Sequence, residues 1–135
     1  MQQTSVHQPR FVLVTLEGGS MAPILNDDDR VLVDCNASGV RSGDVVLVED
    51  VDGRHVLHRI AWIDWMGNLW QCGDAPGCVP SVVRPEKILG KALSGVRGER
   101  WFDLPRDERS KLMRCALVIH GVVRRCYQQL TQHFV

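Results

Sequence analysis

The stretch Val45-Val46-Leu47-Val48-Glu49-Asp50-Val51-Asp52-Gly53-Arg54-His55-Val56-Leu57-His58-Arg59-Ile60 decides the fold. Two runs rich in β-branched and aliphatic residues flank Asp52-Gly53, a dipeptide that favours the left-handed angles of a tight hairpin. The expectation is a pair of antiparallel strands joined by a two-residue turn. The first run, Val45-Val46-Leu47-Val48, is continuous in apolar side chains, which fits a strand covered on both faces. Ser42-Gly43-Asp44, just upstream, reads as the turn that launches the first of them.

Working outward, the same rhythm of short strand and turn repeats. Phe11-Val12-Leu13-Val14 is one strand. Arg30-Val31-Leu32-Val33-Asp34 is another, entered from the acidic turn Asp27-Asp28-Asp29. Met66-Gly67-Asn68 separates Ile60-Ala61-Trp62-Ile63 from Leu69-Trp70-Gln71-Cys72, and a Pro-rich loop follows Gly73-Asp74-Ala75-Pro76-Gly77. Lys87-Ile88-Leu89-Gly90-Lys91-Ala92-Leu93 reads as the last strand. The pattern predicts a flexible segment over residues 1–10 and a mainly β domain over 11–97. The tail differs, because Leu112, Met113, Ala116, Leu117, Val123, Tyr127 and Leu130 recur at spacings of three and four. A basic amphipathic α-helix over 106–132 is expected, packed on the β body or tethered to it, with peripheral membrane contact as its lesser use.

Composition narrows the function classes. Sixteen basic and sixteen acidic side chains cancel in a chain of 135 residues, so no global field argues for a nucleic-acid partner. No apolar run is long enough for a transmembrane helix, and the N-terminus lacks the basic-then-apolar order of a secretory signal. The five cysteines, Cys35, Cys72, Cys78, Cys115 and Cys126, are scattered. Such a set suits free thiols in a cytoplasmic setting better than a disulfide framework, and offers no paired spacing for zinc. Neither a metal nor a cofactor is expected.

Gly18-Gly19-Ser20-Met21-Ala22-Pro23 is the stretch that speaks to chemistry. Two glycines permit backbone angles closed to other residues, and Pro23 prevents a helix from starting at once. A serine at such a corner can present its hydroxyl and its own N–H toward one point, as a hydrolase nucleophile must. Taken alone, the hexapeptide reads more simply as a glycine turn between strands.

The order of elements behind the serine changes that balance. Ser20-Met21-Ala22-Pro23 is followed by Asp29-Arg30-Val31-Leu32-Val33, by Ser42-Gly43-Asp44-Val45-Val46-Leu47-Val48, by His58-Arg59-Ile60 and by Gly73-Asp74. This succession, over roughly residues 11 to 95, resembles the type I signal peptidases and the related LexA-like self-cleaving peptidases. The resemblance implies a coiled β-sheet body with Ser20 as nucleophile. Lysine precedes the arginine in the bacterial and LexA-like members, histidine in the archaeal and endoplasmic-reticulum signal peptidases. His58-Arg59 places this chain with the histidine kind, in a minimal soluble form. The only lysines, Lys87, Lys91 and Lys111, lie outside that box, which independently disfavours a Ser-Lys dyad.

A histidine suits the base role because an imidazole in water titrates near pH ~6.5 and is mostly free to accept a proton at neutrality. Asp74 is the expected group to orient His58 through its other ring nitrogen, although a turn role is the plainer use of Gly-Asp. His55, three residues from His58, is expected on the opposite side of the strand. Asp29 and Asp44 are expected to brace turns. The chain departs from the histidine-type pattern in having no acid in Ala75-Pro76-Gly77-Cys78-Val79-Pro80-Ser81, and Gly18 stands where many bacterial relatives carry a serine hydroxyl. The leading expectation is a serine endopeptidase acting on a peptide or protein substrate through Ser20, His58 and Asp74. A catalytically weak or inactive module that binds extended peptides is the alternative. A self-cleaving regulator is the weakest, since nineteen residues before Ser20 cannot hold a helix-turn-helix.

Overall fold

The computed structural model describes residues 9–105. They form β1 (Phe11–Thr15), β2 (Arg30–Asp34), β3 (Val45–Glu49), β4 (His55–Ile63), β5 (Leu69–Cys72), β6 (Ser81–Val83), β7 (Ile88–Arg97) and β8 (Arg100–Asp103). One short helical turn, Pro85–Lys87, precedes β7. The strands make a single sheet in the order β1-β2-β7-β3-β4-β5-β6, with β8 also on β7, and every pairing is antiparallel. The fold is thus mainly β, as the strand rhythm predicts. The helix expected over 106–132 lies outside the described residues, as does most of the segment expected to be flexible over 1–10.

The β3–β4 hairpin forms in the register Val45↔Arg59, Val46↔His58, Leu47↔Leu57, Val48↔Val56 and Glu49↔His55. Its connection is longer than the expected two residues. The Asp50 carboxylate accepts the N–H groups of Asp52 and Arg54, both at 2.9 Å, and the Asp50 N–H donates to the Arg54 carbonyl at 2.8 Å. A side chain that satisfies its own loop in this way stabilises the wider turn, and Gly53 supplies the one positive φ, 75°, that it needs.

Two strands go beyond the sequence expectation. β6 lies inside the Pro-rich loop, and β8 extends the sheet past the end of β7. The β7–β8 pairing depends on Gly95, whose missing side chain leaves the space taken by the Phe102 ring.

Alternation along β3 and β4 feeds two separate cores, which confirms that these strands are covered on both faces. Val45, Leu47 and Leu57 join Met21, Leu25, Val31 and Val33 in one cluster. Val46, Val48 and Ile60 join Val83 in the other, with Val56 packed against them. Burial of such side chains contributes about 1.5–3 kcal/mol each, enough to fix the register of the central hairpin.

The loop between β1 and β2 is braced by Asp29. Its carboxylate accepts from Arg97 Nε at 3.0 Å and Nη2 at 2.8 Å and from the Asn26 N–H at 2.8 Å. The Asp29 carbonyl accepts the Leu16 N–H at 2.8 Å. The Arg97 hydrogen bonds hold the Asp29 carboxyl below its usual range, and Arg10 does the same to Asp34. Asp44 has a similar bracing role, accepting the Arg41 N–H at 2.8 Å and facing Lys91 Nζ at 3.2 Å.

A carboxyl with a depressed folded pKa contributes stability that is complete above the unfolded value near ~3.9 and is lost as pH falls through the folded value. The melting temperature should therefore stay level from neutrality to about pH 5 and fall below about pH 4. Asp29→Asn should cost about 1–3 kcal/mol at neutral pH and make the acid fall shallower, as read from thermal unfolding against pH.

Candidate functional site

After β1, Leu16 is buried and the chain turns through Gly18, whose φ is 89° and whose N–H donates to Asp27 Oδ1 at 2.8 Å. The Ala22 N–H donates to the Gly19 carbonyl at 3.1 Å, and the Leu25 N–H to the Met21 carbonyl at 3.0 Å. The Ala22-Pro23 peptide is cis. Met21 and Leu25 are both fully buried and anchor this turn in the first core, while Ser20 between Gly19 and Met21 is exposed. The sequence achieves this by setting an apolar anchor immediately after a small polar residue.

The backbone of Ser20 is gripped by the loop after β5. The Ala75 N–H donates to the Ser20 carbonyl at 2.9 Å, and the Cys78 thiol approaches the same oxygen at 3.8 Å. Gly73 packs so closely there that a Cβ would fall on the Ser20 carbonyl oxygen and 2.8 Å from Cys78 Sγ. Cys72 Sγ in turn lies 3.3 Å from the Cys78 carbonyl oxygen. The glycine of Gly73-Asp74 is therefore a contact residue for the Ser20 turn, and its lack of a side chain is what permits the contact.

Asp74 faces a different partner from the one expected. Its Oδ1 accepts from Arg59 Nε at 2.8 Å and its Oδ2 from Arg59 Nη2 at 2.6 Å, a bidentate pair. Arg59 Nη1 also donates to the carbonyls of Gly43 at 2.9 Å and Pro105 at 3.1 Å. Only 2% of the Arg59 surface remains exposed, so the guanidinium has given up water for these four acceptor atoms.

His58 is oriented by Gln71. Its Nδ1 lies 3.3 Å from Gln71 Oε1, and Gln71 Nε2 lies 3.4 Å from Ser81 Oγ. An amide oxygen can only accept, so Nδ1 carries the hydrogen in neutral His58 and Nε2 is its basic nitrogen. The orienting role expected for Asp74 thus falls to Gln71, because the fork of Arg59 occupies both carboxylate oxygens. Along β4 the His58 side chain shares a face with its partner Val46, and His55 shares the other with Leu57.

A cavity of about 150 Å³ beside this hairpin is lined by Val14, Thr15, Leu16, Glu17, Ser20, Leu47, His55, Val56 and Leu57, residues drawn from both faces of β4. The structure therefore brings Ser20 into one cavity with His55, joins Ser20 to the Asp74 loop through backbone, and joins His58 to Gln71. Sequence reasoning missed Gln71 and Cys78. The available signal for Gln71 was one long polar side chain in the apolar run Leu69-Trp70-Gln71-Cys72. Among the described residues, no group of three or more His, Cys, Asp or Glu is placed to hold a metal ion.

A model of the Peptidase S24-like family matches residues 1–64. The match takes in Ser20 and His58 and ends before Asp74. It supports similarity to the superfamily of LexA-like and signal-peptidase-like proteins. No curated protein matches the chain.

Gly73→Ala should destabilise the fold by about 1–3 kcal/mol, because the added methyl meets a backbone carbonyl that cannot turn aside as a side chain tip would. Chemical denaturation of the variant against wild type measures this. A Gly77→Ala control meets no atom within 4 Å but sits at φ 85°, so its cost is backbone strain alone.

Proposed function

We propose that the protein is a serine endopeptidase of the signal-peptidase-like, histidine type, with Ser20 as nucleophile and His58 as general base. The observation that carries this reading is the clamped corner at Ser20, exposed in side chain but held in backbone by Gly73, Ala75 and Cys78. The match of residues 1–64 to a peptidase family, spanning both residues, supports it, as does the Gln71 contact that leaves Nε2 of His58 basic. The resemblance of His58-Arg59 to the histidine-type box supports the subgroup.

In this reaction His58 Nε2 takes the proton of the Ser20 hydroxyl as its oxygen attacks a peptide carbonyl. The protonated ring then gives that proton to the departing amine, and water releases the acyl group by the reverse assistance. The substrate is an extended peptide. β1 stands at one end of the sheet, where a strand can be added by main-chain hydrogen bonds, and the cavity beside Ser20 receives a side chain.

His55 supports a second reading, since it lines the same cavity as Ser20. In that version His55 is the base and His58 a framework residue of the opposite face. The peptide-binding alternative shares the added strand and lacks turnover.

Cleavage of a peptide library, read by mass spectrometry, separates these. Ser20→Ala should reduce turnover to background and His58→Ala should lower it by about 10²–10⁴-fold, with His55→Ala close to wild type. A larger loss in His55→Ala than in His58→Ala transfers the base role to His55. Binding without cleavage by wild type at any pH leaves the binding module.

Gln71 gives a further check. Gln71→Leu should shift neutral His58 toward the Nε2–H tautomer in ¹⁵N spectra and reduce kcat more than it changes KM. Gln71→Glu should move the pH profile of kcat to higher pH, because a carboxylate stabilises the charged ring.

A further inference from the structure

We propose that the cavity beside Ser20 selects a lysine or arginine side chain of the peptide, and that Glu17 is the residue that sets this preference. Val14, Leu16, Leu47 and Leu57 give the cavity apolar walls. The three leucines are buried members of the first core and Val14 packs against it, so these walls are held by the fold. Glu17 and His55 are the titratable residues of the lining, and Glu17 is its one carboxylate. A long unbranched stem ending in a cation matches that combination. The stem covers apolar surface while its head meets the acid.

Glu17 stands in a fixed place with its charge uncommitted. The Leu16 N–H before it donates to the Asp29 carbonyl at 2.8 Å, and the Leu16 carbonyl accepts the Asp28 N–H at 3.0 Å. The Gly18 N–H after it donates to Asp27 Oδ1 at 2.8 Å. Neighbouring carboxylates serve the loop itself, Asp27 in that bond and Asp29 in its pair with Arg97. Among the described residues, nothing hydrogen-bonds or ion-pairs with the Glu17 carboxylate. The loop between β1 and β2 therefore positions its backbone and leaves its side chain to an incoming group.

Size and charge make separate demands on that group. A cavity of about 150 Å³ is about ten times the ~10–15 Å³ that one water needs, so a side chain as small as alanine leaves it part-filled. An acidic side chain would meet Glu17 as a like charge. Lysine and norleucine share one stem and differ in the cation, so their comparison isolates Glu17. Because Glu17 is exposed, the expected preference is modest, about 3–5-fold, and weakens in high salt.

The placement of this side chain beside the cut rests on Ser20 being the nucleophile, whereas the selectivity of the cavity does not. Two measurements on the full chain at about pH 8, above the usual imidazole range, keep the two apart. In the first, N-acetyl-lysine methylamide and N-acetyl-norleucine methylamide are titrated separately and followed by backbone amide shifts. The lysine compound should perturb Leu16, Glu17, His55 and Leu57 and bind about 3–5-fold more tightly, with the difference lost in Glu17→Gln and in about 1 M salt. In the second, peptides of one sequence cut by the protein are varied at a position beside the cut. Lysine should exceed norleucine in kcat/KM by the same factor, and Glu17→Lys should invert the order in favour of a glutamate peptide. Glu17→Gln should melt with the wild type, since its carboxylate has no partner to lose among the described residues.

Equal binding of the two compounds, or no perturbation of these amides by either, overturns the pocket. A lysine preference that survives in Glu17→Gln overturns the role of Glu17. Library cleavage confined to sites flanked by small residues overturns the preference. Selective binding of the lysine compound without cleavage of any library peptide leaves the pocket standing and defeats the peptidase reading instead.

Discussion

The buried guanidinium of Arg59 is the constraint on which the candidate site depends. It lies on β4 and is bonded at once to Asp74 after β5, to the Gly43 carbonyl before β3 and to the Pro105 carbonyl after β8. A charge out of water is tolerated only when its donors are met, and loss of one partner from a buried pair costs about 3–5 kcal/mol. The four acceptor atoms are therefore held at defined positions. From Asp74 the constraint passes one residue along the chain to Ala75, whose N–H fixes the carbonyl of Ser20. The Ser20 corner is positioned through this relay as much as by its own glycines.

Strand geometry explains why histidine and arginine stand next to each other. Adjacent residues on a strand point to opposite faces, so His58 and Arg59 address the two sides of β4 from one backbone segment. Arg59 turns to the side of Leu57 and ties loops together. His58 turns to the side of Val46 and meets Gln71. Any shift of β4 register by one residue would exchange these roles and bury the wrong group, and the two apolar cores on either side resist that slip.

Much of this was legible in the sequence, and the failures have physical reasons. Apolar runs such as Val45–Val48 announce strands because burial on both faces demands them. β6 and β8 were not legible, since Ser81–Val83 lies in a Pro-rich loop and β8 gains its order from neighbours such as Phe102 on Gly95. The hairpin loop was misread because Asp50, rather than Asp52-Gly53, dictates its width. At the site, the corner at Ser20 was readable from the preceding apolar run, the two glycines and the proline. The partner of Asp74 was not. Arg59 and His58 are neighbours, and only the strand face decides that the bidentate fork, not the imidazole, meets the carboxylate. Gln71 has an unremarkable use on any strand and gains meaning only from the ring beside it.

The absence of a second acid after Asp74 then takes on a different meaning. A carboxylate near His58 would favour its charged form. A neutral amide orients the ring without adding that charge. With Asp74 occupied by Arg59 and Gln71 directing Nδ1, the loop from Gly73 to Cys78 has no need of an acid facing the ring. Its residues are instead small or backbone-forming where it grips Ser20. The loop's chemistry is that of a clamp, and its charge is spent on the framework.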